Sequence, residues 1–446
     1  MKKKTVIIII IILIIILLVV LGIILFKNSK INAEDMQLTV ATIWSAEPLG
    51  RNTSDLDFAN ADSEFIQLAR KGFLKGMQDA KGSLNINEIT LSDNTDFQMY
   101  IRMIAETFLE KEVHMTVGCT HDEMTMYTSM EMNYFGIPML IPFTDGNISP
   151  DNMSSDYSFR VKPTPKKYGD FFGGLFQGVT IDYINNYVFD NIAYPVIGTD
   201  VAVFFRDNIN GHDTAVNITQ TIMDSGYNID SYVPFADLES TVKSSWAGDE
   251  ETFKKIDSVI IIGEDSENFD DLSEVWHMWA DRGLYPYFFM VGYEPNDIDP
   301  DLLNAENVFV IQPVIDFASC PAGITSRAEA MGYAGGQIMA KALLNAVKTQ
   351  PAEPTGIRLW FHSKDRRREM HQDYVTSFRN NIRSALFELN EIIPCYGQTD
   401  FKNDPDTRAQ LEMVRYTDKD RYEVIDPNIL FINIIDKNRE YYGLGE

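Results

Sequence analysis

NEITLSDNTDFQMYIRMIAETFLEKEVHMTVGCT, Asn87 to Thr120, decides the fold class. NEITLSD mixes β-branched and apolar residues and reads as a strand. DNTD then offers short polar side chains as caps for a helix. Phe97, Ile101, Ile104, Ala105 and Phe108 recur at three- and four-residue spacing, which predicts one buried helical stripe. VHMTVG returns to strand character. Strand, long helix and strand in succession form a crossover, and crossovers of this kind join parallel strands.

The same alternation extends in both directions. QLTVATIW (Gln37 to Trp44) reads as a preceding strand, followed by a helix over 63–80. Its apolar and small positions are Phe65, Leu68, Ala69, Gly72, Gly76 and Met77, and the two glycines suit close approach to a sheet. After Thr120 come a short helix (122–133) and GIPMLIPF as a fourth strand. Near-continuous apolar strands separated by helices predict a parallel sheet covered on both faces. YSFRVKPTPKKY leads into a second series with a long helix over 168–187. Strands VAVFF, IDSYVPF, KIDSVIIIG, YPYFFMVG and NVFVIQPV follow, with helices at HDTAVNITQTIMDSG and NFDDLSEVWHMWADRG. SRAEAMGYAGGQIMAKALLNAVK predicts a helix whose Ala330, Ala334, Gly335, Ile338, Ala342 and Leu343 suit packing on a sheet. A further helix spans 366–391, and the tail has β-like runs at QTDF, QLEMVRY and NILFINII. The chain is α/β, and its 446 residues suit two domains.

The first residues are a separate matter. Val6 to Phe26 carries no polar or charged side chain, long enough to cross the ~30 Å bilayer core and longer than an ordinary secretory apolar region. Lys2, Lys3 and Lys4 precede it, and Ile31-Asn32-Ala33 is a weak peptidase site. The expectation is an uncleaved transmembrane signal anchor over 1–33, a cytoplasmic N-terminus and an extracytoplasmic remainder at the cell membrane. The net charge of −27 argues against nucleic acid as a partner. Cys119, Cys320 and Cys395 form no CxxC pair; one bridge can form in an exported chain, and the sequence does not say which. Histidines 114, 121, 212, 277, 362 and 371 show no metal-ligand spacing. Cys119 and His121 are two apart and lack a further catalytic signature, so no enzyme is expected.

GFLKGMQDAKG, the Asn87–Thr120 run, YFGIPMLIPFTDGN, SFRVKPTP and the closing YGQTDFKNDPDTRAQLEMVRY follow one another in an order that resembles the type I periplasmic binding proteins. The likeness is to the ABC-transporter solute-binding proteins for branched-chain amino acids, and it covers most of residues 37–434. No single motif is specific; the ordered set is. The resemblance implies two lobes, each a parallel sheet flanked by helices, with a three-stranded hinge. Residues 34–162 and 318–393 would form the N-terminal lobe, and 163–317 and 394–446 the C-terminal one. Crossings would fall near Val161–Pro165, Pro313–Cys320 and Pro394–Gln398. The loop SAEPLGRNTSDLDFANAD departs from the family, lacking its usual glycine spacing.

By the same resemblance, an amino acid or similar small polar solute binds between the lobes and passes to an ABC permease, without cofactor or metal. The alternative is a surface sensor acting through a partner receptor. Thr120 and Thr144 match the hydroxyls that hold a ligand carboxylate, helped by exposed backbone N–H groups. Glu294 matches the acceptor of the ligand ammonium, and Tyr293 would add an aromatic wall. Asp207 falls on the first second-lobe loop, and Asp145 adds to an acidic cleft that suits a polar or cationic solute. Cys119 is expected as a small thiol beneath the cleft floor and His121 at its rim.

Overall fold

Five parallel strands take up the apolar runs of the first series: β1 (Gln37–Trp44), β2 (Asn85–Ser92), β3 (Met115–Val117), β4 (Met139–Ile141) and β5 (Ser158–Arg160). Their spatial order is β2-β1-β3-β4-β5. The computed structural model describes residues 36–46, 56–58, 64–93, 97–144, 157–183, 200–246, 250–263, 270–292, 302, 305–351, 362–402, 410–418 and 421–425. The expected anchor over 1–33 and the run NILFINII lie outside them. Among the described residues no helix is long and apolar enough to cross a membrane.

Between these strands run α1 (Glu64–Ala80), α2 (Phe97–Glu110) and α3 (Asp122–Phe135). Ile104 and Phe108 of α2 join Ala41, Ile43, Met139 and Ile141 in a core on one face of the sheet. Phe97 departs from the predicted stripe: it is 41% exposed and lies against Tyr127 of α3, ring centroids 4.4 Å apart. On α1 the buried set is Ile66, Ala69, Gly72, Phe73, Gly76 and Met77, with Phe65 and Leu68 half-buried at its margin. SFRVKPTP, to which the sequence assigned no element, begins as a fifth strand, β5.

The chain then leaves through α4 (Pro165–Tyr183) for a second sheet. It contains β6 (Asp200–Arg206), β7 (Asn228–Phe235), β8 (Ser258–Ile262), β9 (Tyr287–Val291) and β10 (Val308–Pro313), all parallel. Helices α5 (Ile209–Asp224), α6 (Leu238–Trp246), α7 (Glu250–Lys255) and α8 (Asp270–Ala280) connect them. Two later strands, β13 (Leu411–Asp418) and β14 (Arg421–Val424), extend this sheet antiparallel, giving the order β14-β13-β10-β9-β8-β6-β7. The second sheet is therefore mixed, not wholly parallel.

From β10 the chain returns to the first sheet through α9 (Arg327–Thr349) and α10 (Lys364–Phe387). Here the expected glycine contact takes a different form. The small residues of α1 meet α9, helix against helix, and not a sheet. A Cβ on Gly76 would stand 2.1 Å from the Tyr333 carbonyl oxygen, and one on Gly332 2.0 Å from that of Ala69. Between the sheets a short pair, β11 (Ile392–Ile393) and β12 (Gly397–Gln398), marks another crossing.

The crossings are laced together. Cys320 and Cys395 form a disulfide with Cα atoms 4.6 Å apart, which picks one pairing from those the sequence allowed. The Asp316 N–H donates to the Cys395 carbonyl at 3.1 Å, and the Tyr396 hydroxyl to the Val161 carbonyl at 2.7 Å. The third crossing thus touches both others. At the amino-terminal end of the first sheet, His114 is buried and its Nδ1 accepts the Thr39 N–H at 3.0 Å. Burial, with Arg379 nearby, lowers its pKa to about 4.

These contacts set three expectations. Gly76→Ala should lower stability by roughly 2 kcal/mol in urea titrations, since the clash with α9 outweighs a helix-propensity gain of about 1 kcal/mol. An unchanged midpoint would reject the close contact. Cys395→Ser should cost about 4 kcal/mol, because the 75-residue separation leaves a long loop unclosed in the denatured chain. Dithiothreitol should reproduce that loss in the native protein. For His114, folded and unfolded forms are both neutral well above pH 6.5, and no stability depends on it there. As pH falls from 6.5 towards 4 the unfolded chain takes a proton that the folded chain refuses, so up to about 3 kcal/mol is lost. His114→Gln should flatten that part of the stability profile, and a profile as steep as the native one would refute the assignment.

Candidate functional site

In a parallel sheet, loops at the carboxyl ends of the strands share one edge, where open α/β sheets bind ligands. The order β2-β1-β3-β4 brings together the ends of four strands there: Asp93, Ser45, Cys119–His121 and Thr144. Gly118 turns the chain out of β3 with φ +121°, and a Cβ there would meet the Ile43 carbonyl oxygen at 2.4 Å. Only glycine lets this loop lie so close to β1.

Asp93 organises the group. It is 2% exposed, and its Oδ2 accepts the Thr120 N–H at 2.8 Å and the His121 N–H at 3.0 Å. Its Oδ1 accepts the Ser45 hydroxyl at 2.6 Å. The Thr120 hydroxyl accepts the Ser45 N–H at 2.6 Å and lies 3.0 Å from the Ser45 Oγ. The expected ligand donor, the Thr120 N–H, is therefore already bonded within the protein. Thr144 is buried, and its hydroxyl donates to Thr125 Oγ1 at 3.0 Å. Thr125 in turn donates to the His121 carbonyl at 2.8 Å, so the ends of β3 and β4 belong to one network. His121 is exposed and stands at the N-cap of α3 without a side-chain capping bond. Of these residues, Ser45, Thr120 and His121 retain surface at the loop.

Cys119 has no exposed surface, so it offers a ligand no contact in this conformation. Its Sγ lies 3.1 Å from the Tyr100 hydroxyl and 3.2 Å from the Thr128 hydroxyl. Burial, reinforced by the negative charge of Asp93, raises the thiol pKa far above its ordinary value. The thiol stays protonated at physiological pH, which removes it as a nucleophile.

Asp207 belongs to the other sheet. It is exposed at the carboxyl end of β6, its N–H donates to the Phe235 carbonyl at 3.0 Å, and its carboxylate faces His212 at 3.7 Å. Among the described residues no hydrogen bond joins it to the Thr120 group. Helices α3 and α5, which follow the Thr120 and Asp207 loops, do touch, and so bring the two strand-end edges towards each other. Asp145, Tyr293 and Glu294 lie outside the described residues. Asp93 and Ser45 were missed because NEITLSD reads as strand and DNTD as helix caps. The available signal was an aspartate leaving β2 beside a serine leaving β1, once those strands are known to be neighbours.

No protein-family model matches this chain, and no curated protein matches its sequence. Its likeness is to solved structures. A leucine-binding protein from Thermotoga maritima MSB8 is 11% identical, with 87% of this chain and 98% of that one covered at a TM-score of 0.57. An ABC transporter substrate-binding protein from Desulfitobacterium hafniense, in complex with Leu, is 13% identical, with 87% and 100% covered at 0.53. A solute-binding protein of an ABC transporter from R. palustris, in complex with benzoate, is 11% identical, with 87% and 96% covered at 0.58. Identity this low speaks to architecture alone, and on architecture the likeness runs nearly end to end: the chain has the two-lobed α/β fold of the type I periplasmic binding proteins.

Proposed function

We propose that this protein is an extracytoplasmic solute-binding protein that captures an amino acid or similar small polar solute between its lobes for an ABC permease. The observation that carries the reading is the contact between α3 and α5, the helices that follow the Thr120 and Asp207 strand-end loops, together with the laced crossings. Such an arrangement lets two rigid lobes close on a ligand that contacts both, so ligand binding shifts the open and closed populations. The transport roles of solved proteins with the same fold favour a permease over a receptor as partner. In this reading the apolar N-terminal run tethers the protein to the membrane, with the lobes outside the cytoplasm. In this reading Thr120, His121 and Asp207 stand nearest the solute, and Glu294, by the resemblance alone, would accept its ammonium.

The test is a thermal-shift screen of the detergent-solubilised full chain against amino acids, small amines and other polar solutes. A cognate solute at about a hundred times its Kd should add roughly 2.7 kcal/mol of stability. A complete panel with no stabilising compound would count against solute capture. Once a ligand is found, Asp207→Ala should weaken it without lowering the melting temperature of the empty protein.

A further inference from the structure

The loop assigned to a ligand carboxylate already holds one. The Thr120 and His121 N–H groups both point to Asp93 Oδ2, at 2.8 and 3.0 Å, and the Ser45 hydroxyl to Oδ1 at 2.6 Å. A threonine hydroxyl has one hydrogen to give. That of Thr120 has Ser45 Oγ at 3.0 Å and Asp93 Oδ2 at 3.3 Å as acceptors, while its oxygen takes the Ser45 N–H. The Thr144 hydroxyl spends its hydrogen on Thr125. Among the described residues, the Ser45, Thr120 and Thr144 hydroxyls and the Thr120 and His121 N–H groups at this edge are therefore spent. Asp93 is 2% exposed, and among the described residues no lysine, arginine or histidine forms an ion pair with it.

We propose that Asp93 is the built-in occupant of this anion-holding loop, and that the cleft consequently selects cationic, amine-bearing solutes over solutes that present a carboxylate to Thr120. The inference rests on the solute-binding reading and narrows its ligand class. Two carboxylates that share one set of donors cannot both stay ionised cheaply, so a ligand carboxylate would have to displace Asp93 or take up a proton. A ligand ammonium meets the opposite condition. Asp93 is bonded by neutral donors, which disperse its charge without cancelling it, and the field at the loop remains negative. The remaining lone pair of the Thr120 hydroxyl is an acceptor suited to an N–H donor.

Two measurements on the full chain test this. In the first, Asp93→Ala orphans the Thr120 and His121 N–H groups and leaves a space the size of a carboxylate. Sodium acetate should raise the melting temperature of this variant above that in sodium chloride of equal ionic strength, and should leave the native protein unmoved. Equal responses of the two proteins to acetate would overturn the proposal. Should Asp93→Ala not fold, Asp93→Asn preserves the shape and removes the charge, and the second measurement uses it. Native protein is titrated with cadaverine, agmatine, leucine and benzoate. An amine should bind at least about tenfold more tightly than either carboxylate, and Asp93→Asn should erase that preference. Leucine or benzoate binding the native protein more tightly than both amines would sink the proposal while leaving solute capture intact. If none of the four binds, acetate rescue of Asp93→Ala still decides whether Asp93 fills an anion site, and the wider solute screen decides the function.

Discussion

The meeting of α1 and α9, backbone against backbone, is the constraint on which the rest of the molecule depends. The first sheet is parallel and must be covered on both faces, yet the segment that follows it directly supplies only part of that cover. α9 arrives after the whole second sheet has been built, and it completes the core that contains Leu38, Val40, Phe73 and Leu343. Carbonyl oxygens of one helix lie where side chains of the other would be, at Gly76 and Gly332. No residue with a Cβ fits either place without moving a helix. Because α9 is fixed this firmly, the chain must cross back between the lobes, and the crossings near Val161, Asp316 and Cys395 are drawn together by their hydrogen bonds and the disulfide.

Strand order then creates the candidate site. With β1 between β2 and β3, the loops leaving all three strands sit side by side, although Ser45, Asp93 and Thr120 are far apart along the chain. A buried carboxylate in such a place is stable only if it accepts hydrogen bonds, and two loop N–H groups and a serine hydroxyl supply them. The same bonds hold the Thr120 loop in one conformation, so the edge a solute would meet is organised before it arrives. Cys119 and Tyr100, both buried, touch each other behind this loop.

Much of the architecture was legible because its signals are local. The stripe at Ile101, Ile104 and Phe108 and the runs QLTVATIW and VAVFF each announce their element within a few residues. β5 was not legible: its three residues carry no periodicity, and pairing with β4 alone makes them a strand. The exposure of Phe97 escaped for a similar reason, since Tyr127 on another helix receives its ring. The antiparallel β13 was read as a strand, but its direction in the sheet depends on where β10 lies.

By itself, then, the sequence determined the kinds of elements, their alternation, the two-part layout and the place of the Cys119–His121 cluster at the carboxyl end of β3. These follow from side-chain periodicity and turn chemistry, which act over a few residues. Only the tertiary structure decided that the α1 glycines face a helix, that Cys320 pairs with Cys395 and that Thr120 bonds to Asp93. Each of those is a contact between segments brought together by packing, and chain spacing carries no information about which hydrogen-bond donor a distant carboxylate will reach.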